Sequence, residues 1–173
     1  MSFNRLVQSF IVVCVAPALV VLVGAQASGQ TIAPSSGKAM CSALAAADFN
    51  KAGVPVSGLR QASLDSPANA YCLYDSKAGK VEFDIFYPAG ATMDAVKATE
   101  NTVLNEIGGK FETVRMAGVD EAKTNALAPK DAGFASIAVR RGSVVFDINI
   151  PQSAQARRQL LALAEVVASR LQQ

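Results

Sequence analysis

The sequence predicts an α+β domain: a single antiparallel sheet with helices packed on it, built as a helix followed by two strand-strand-helix units and closed by one disulfide. Three observations lead there. Two stretches, 81–87 and 144–150, alternate apolar and polar residues at strand period, each after a turn that brings back a partner strand. Other stretches repeat apolar residues at helical spacing. Two cysteines, Cys41 and Cys72, stand about thirty residues apart in the body of the chain.

The elements follow in order. Residues 41–52 are rich in alanine and leucine, which favour a helix, and Gly53 and Pro55 stop it. Cys41, Leu44, Ala45 and Asp48 share one stripe, so Cys41 faces the body of the domain. Leu59–Leu64 reads as a short strand and 65–69 as a turn. Tyr71–Tyr74 and Val81–Tyr87 form a hairpin around 76–80, with Val81, Phe83, Ile85 and Tyr87 turned inward and Pro88 ending the strand.

Thr92 is a fair N-cap for a second helix that ends at Gly108-Gly109. Phe111–Met116 is a further strand, and 118–133 reads as a polar, irregular connection. Phe134–Val139 and Val144–Ile150 form a second hairpin around Arg140-Arg141-Gly142-Ser143, with Pro151 as its stop. The last helix, about 153–171, places Ala156, Leu160, Leu163, Ala164, Val167 and Leu171 on one buried stripe. The two hairpin strands echo one another: Val81, Phe83, Asp84, Ile85 and Pro88 coincide in register with Val144, Phe146, Asp147, Ile148 and Pro151. That echo reads either as an internal duplication or as two strands converging on the same pattern.

Residues 1–27 read as a signal peptide. Arg5 precedes an apolar run from Phe10 to Val23, and Ala25 and Ala27 give the small-residue pattern of a cleavage site before Ser28. The run is shorter than the roughly 20 residues a membrane span needs, though retention as an uncleaved anchor stays open. Neither Cys14 nor Cys41 follows a small residue, so neither fits a lipidation site. Residues 28–37 are small and polar, a flexible leader, and 38–173 form the single α+β domain. The expected location is the periplasm or the medium.

Export bears on the cysteines. With Cys14 removed, Cys41 and Cys72 suggest one structural bridge, worth about 3–4 kcal/mol in the chain-entropy picture. Two free thiols or a reactive pair are the rival readings, weakened by the lack of a C-x-x-C motif.

Composition removes several functions. There is no histidine among the 173 residues, which excludes Ser-His and Cys-His catalysis and His-ligated metals within the chain. Sixteen Lys and Arg against fourteen Asp and Glu leave a net charge of +2, far from the basic surplus of a nucleic-acid binder. No cofactor is expected, and membrane contact is expected only through an uncleaved signal segment. Arg140-Arg141 and Arg157-Arg158 are short basic pairs that read as solvated surface.

The chemistry that remains is carboxylate chemistry. Asp84 and Asp147 each sit mid-strand, on the face opposite the inward apolar residues. If the two strands are neighbours, the carboxylates are close, and paired carboxylates can divide acid and base roles. Phe86 shares that face, and an aromatic beside carboxylates suits a sugar or peptide ligand. Asp84, Phe86 and Asp147 are therefore the candidate ligand-binding residues. The rival reading is a solvated outer face whose charges, Glu82 included, keep the sheet soluble.

Four short motifs carry a family resemblance: Cys41-Ser42-Ala43-Leu44, Tyr71-Cys72-Leu73-Tyr74, Ala117-Gly118-Val119-Asp120-Glu121-Ala122 and Val139-Arg140-Arg141-Gly142-Ser143. With the closing strand and helix, they resemble the small secreted and lipid-anchored bacterial domains of unknown function with a PsbP-like α+β fold. The resemblance covers about 40–172 and implies a Cys41–Cys72 disulfide and an antiparallel sheet flanked by helices. It brings no catalytic residues. The expected function is that of an exported cell-envelope protein, a non-enzymatic module binding an envelope protein or a small ligand. The alternatives are a carboxylate-dependent enzyme using Asp84 and Asp147, and a secreted inhibitor or interaction protein.

Overall fold

A computed structural model of the chain describes residues 37–66, 69–86, 111–126 and 133–171. The signal segment, the leader before Gly37, Tyr87, Pro88 and the helix expected to begin at Thr92 lie outside the described residues.

Seven strands form one sheet: β1 (Gly58–Ser66), β2 (Asn69–Asp75), β3 (Val81–Phe86), β4 (Glu112–Thr113), β5 (Glu121–Thr124), β6 (Phe134–Arg141) and β7 (Val144–Pro151). Their order is β1-β2-β3-β7-β6-β5-β4, and every pairing is antiparallel. Three helices, α1 (Gly37–Cys41), α2 (Ala46–Lys51) and α3 (Ala156–Arg170), complete the described elements. The α+β class and the single antiparallel sheet match the sequence reading.

One face of the sheet carries the core. Tyr74, Cys72 and Ala70 of β2, Val81, Phe83 and Ile85 of β3, and Phe146, Ile148 and Ile150 of β7 are buried on it. Met40, Leu44 and Phe49 cover it from the N-terminal side. The whole expected stripe of α3, from Ala156 to Leu171, is buried there too. The Cys41–Cys72 disulfide forms with Cα atoms 5.7 Å apart and ties α1 to β2.

Four elements differ from expectation. The leading helix is two short helices, not one over 41–52. Cys41 is pinned to β2, and the Asp48 carboxylate accepts the Ala45 N–H at 2.8 Å, so the chain restarts as α2. The strand expected over 111–116 shrinks to Glu112–Thr113 at the sheet edge. The stretch 118–133 is not wholly irregular: it contains β5, whose Ala122 and Thr124 point inward while Glu121 and Lys123 point out. Four residues, two of them charged, give too short an alternation to be legible beside their polar neighbours.

The fourth difference is the second hairpin. Arg140 and Arg141 belong to β6, and Arg141 pairs with Val144, leaving Gly142-Ser143 alone as the turn. Gly142 has φ +59°, the left-handed value that the first central position of a two-residue II′ turn requires. Asp120 braces it, accepting the Gly142 N–H at 2.6 Å and lying 3.4 Å from the Arg140 guanidinium.

Candidate functional site

β3 and β7 are neighbours at the centre of the sheet, and Asp84 lies directly opposite Asp147. Opposed residues on one face have Cβ atoms about 4.5–5.5 Å apart, so the two carboxylates are brought together. The pairing register has a particular symmetry. Phe83 faces Ile148 and Ile85 faces Phe146; Glu82 faces Asn149 and Phe86 faces Val145. The sequence echo and the strand register therefore share one centre, between Asp84 and Asp147. Sheet order repeats this relation, with β2 and β1 outside β3, and β6 and β5 outside β7. On the core face the equivalent rings of Phe83 and Phe146 meet across it, centroids 6.2 Å apart.

On the other face, one line of residues crosses the whole sheet. Ser63, Tyr71, Asp84, Asp147, Ala138, Lys123 and Thr113 are successive cross-strand partners. Tyr71 thus stands beside Asp84 on the side away from Asp147. Phe86, two residues along β3, is half-buried against the line of Val145. The three candidate ligand residues are on one face of adjacent strands, as the period-two reading required.

The surroundings were not legible from the sequence. Glu82 takes the Tyr71 hydroxyl as a hydrogen-bond donor and pairs with Lys80 Nζ at 2.5 Å. Asn149 donates its side-chain amide to Asp147 Oδ2 at 3.0 Å, while Ser136 donates its hydroxyl to Asn149 Oδ1. The bond to Asp147 sets the amide orientation, because a carboxylate only accepts and so takes the nitrogen, which turns the oxygen to the Ser136 hydroxyl. The Ser136 backbone is clamped in turn: its N–H donates to Asn125 Oδ1 at 2.6 Å, and its carbonyl accepts the Thr124 hydroxyl at 2.7 Å. A polar chain thus runs from the end of β5 to the central carboxylates. The signal that could have found Asn149 is its period-two spacing from Asp147.

The solvated reading of this face does not hold at its centre. Asp147 is 4% exposed, Glu82 7%, Val145 1% and Ser136 fully buried. Charges this buried demand partners, which Asn149, Lys80 and Tyr71 supply in part.

Elsewhere, Arg157 pairs with Glu112, and Arg158 donates to Gln155 at 2.9 Å. With Leu161, Ala162 and Glu165 they line a shallow surface groove of about 370 Å³ on α3. Among the described residues no group of three or more His, Cys, Asp or Glu is placed to hold a metal ion. No described helix is long and apolar enough to cross a membrane.

What fold and site define is an α+β domain with a disulfide-anchored N-terminal segment and a carboxylate pair at the centre of its sheet. No protein-family model, curated protein or solved structure matches the chain.

Proposed function

We propose that the chain is an exported bacterial cell-envelope protein, periplasmic or secreted, acting as a non-enzymatic binding or accessory module. Its ligand-binding residues are Asp84 and Phe86, both partly exposed, with the buried Asp147 adding its charge directly behind Asp84. The observation that carries this reading is the direct opposition of Asp84 and Asp147, with Tyr71 beside the pair and Phe86 on the same face. Two carboxylates next to aromatic rings favour a partner group that is cationic or rich in hydroxyls, such as a basic side chain or a sugar. The disulfide is compatible with export.

A carboxylate-dependent enzyme is the second reading, favoured by the same opposed pair. The two separate on substitution. In the binding reading, Asp84→Asn and Asp147→Asn weaken capture of the ligand without abolishing any turnover. In the enzymatic reading, either change removes turnover while binding persists.

The shared centre of echo and register supports reading the sheet as two repeated units, β1–β3 and β5–β7, each extended by one strand beyond the strand-strand-helix plan. It adds nothing to the PsbP-like resemblance, which remains a proposal on the four motifs alone.

The first experiment is a native, non-reducing mass spectrum of the protein from its host's envelope and medium. A chain beginning at Ser28 and two hydrogens light, with an additional non-covalent mass, is the expected result. A full-length chain with free thiols overturns the export reading. A bridged chain in a stable complex with a foreign protein turns the proposal towards an inhibitor.

A further inference from the structure

The segment from Gly37 to Ser57 lies over the core face as a strap, and its two helices of five and six residues are too short to hold themselves. It is fastened by long-range contacts. Cys41 is bonded to Cys72. Leu44 offers its carbonyl to the Tyr74 hydroxyl, and Gly53 its carbonyl to Gln159 Nε2 at 2.8 Å. At the far end of α3, the Arg170 guanidinium grips Asp48 with two bonds, 2.6 and 2.9 Å, and reaches the Ala43 carbonyl at 3.0 Å. Ala43 and Asp48 bracket the turn that carries the chain away from Cys41.

Both disulfide residues are buried, Cys41 2% exposed and Cys72 fully buried. A thiolate must approach one sulfur directly, so this bond is closed to reductants while the strap is seated. The Arg170 grip stands at the rim, with the arginine side chain 43% exposed. It is the most solvent-facing of these fastenings, the Tyr74 and Gln159 contacts lying further inside.

We propose that the Asp48–Arg170 pair is a latch on a redox-sensitive strap: opening it lifts the segment around Cys41 and admits a thiol reductant to the Cys41–Cys72 bond. In the reaction, one thiolate of a dithiol attacks a cysteine sulfur and expels the other cysteine as thiolate. The second thiol of the reagent then closes its own ring, leaving two cysteine thiols and one cyclic disulfide. The device is local: β1 to β7 and α3 stay in place while the strap lifts.

The test is the rate of reduction of the full chain by dithiothreitol at pH 8. Arg170→Gln and Asp48→Asn are expected to speed it about twofold, the population change from losing a partly exposed ion pair. The double variant is expected to be no faster than the quicker single one. Lys51→Gln, a charge change beside Asp48 but outside the latch, leaves the rate unchanged. Arg170→Gln keeps the Asp48 bond to Ala45, so it separates the latch from the helix cap. Should Arg170→Gln fold poorly, Arg170→Lys, with one bond in place of two, should give an intermediate rate. Under a local opening the rate stays flat in low urea. Rates unaltered in the latch variants, an equal rise in Lys51→Gln, or a rate following the slope of global unfolding each overturn the proposal.

Discussion

Tyr74 donates its hydroxyl to the carbonyl of Leu44 from within the core, with its ring 4.6 Å from that of Phe49. The contact joins β2 to the loop between α1 and α2 across 30 residues. It gives a buried carbonyl its partner at a break where no helix can supply one. Removing the hydroxyl with Tyr74→Phe should cost about 1–2 kcal/mol in urea unfolding at neutral pH.

The same phenol should resist ionisation. Burial pushes its pKa well above the ordinary value, and the Asp48 charge adds to the shift. A raised folded value means that this contribution to stability is complete below the unfolded pKa of about 10 and is lost as pH rises above it. Wild-type stability should therefore fall more steeply above pH 10 than that of Tyr74→Phe. An ultraviolet titration should show one tyrosine ionising only as the protein unfolds.

Asp48 behaves in the opposite sense. The hydrogen-bonded Arg170 guanidinium holds its carboxyl below the usual range, against some desolvation. The resulting stability is present above the unfolded pKa of about 4 and is lost as pH falls through the lower folded value. Asp48→Asn should flatten the acid limb of a stability-against-pH curve. At neutral pH it should cost about 0.5 kcal/mol, since the pair stands partly in water.

Asn149 is the joint of the outer-face polar chain. Asn149→Leu strands the Ser136 hydroxyl and removes the amide donor from Asp147 Oδ2. Thermal or urea unfolding should report a loss of about 1–3 kcal/mol. Ser136→Ala should cost less, because the Asn149 amide keeps its bond to Asp147.

The disulfide should carry a larger share. Cys41→Ser with Cys72→Ser releases α1 from β2, and removal of such a bridge from a small domain costs about 2–5 kcal/mol. The measurement is the urea midpoint of the double variant against the oxidised wild type. A midpoint unchanged within error would mean that the strap is held by its other contacts alone.

Much of this molecule follows from local periodicity. The stripe of α3, the inward sets of β3 and β7, and the placing of Asp84, Phe86 and Asp147 on one face depend only on 3.6- and 2-residue repeats, which act between near neighbours. The pairing of Cys41 with Cys72 followed from there being two cysteines in the body of the chain. Partners that come from different strands were not legible. That β3 lies against β7, and in the register that opposes Asp84 to Asp147, depends on how two hairpins join. Arg170 meets Asp48 across 122 residues and Gln159 meets Gly53 across 106. No repeat along the chain encodes such meetings; they exist because burying the two apolar faces together leaves one arrangement of the helices over the sheet. By itself the sequence determined which residues of β3, β7 and α3 face the core and which polar residues share the opposite face of the sheet. Only the tertiary structure decided which of them touch, because hydrogen bonds and ion pairs form at a few ångströms between groups that burial has brought together.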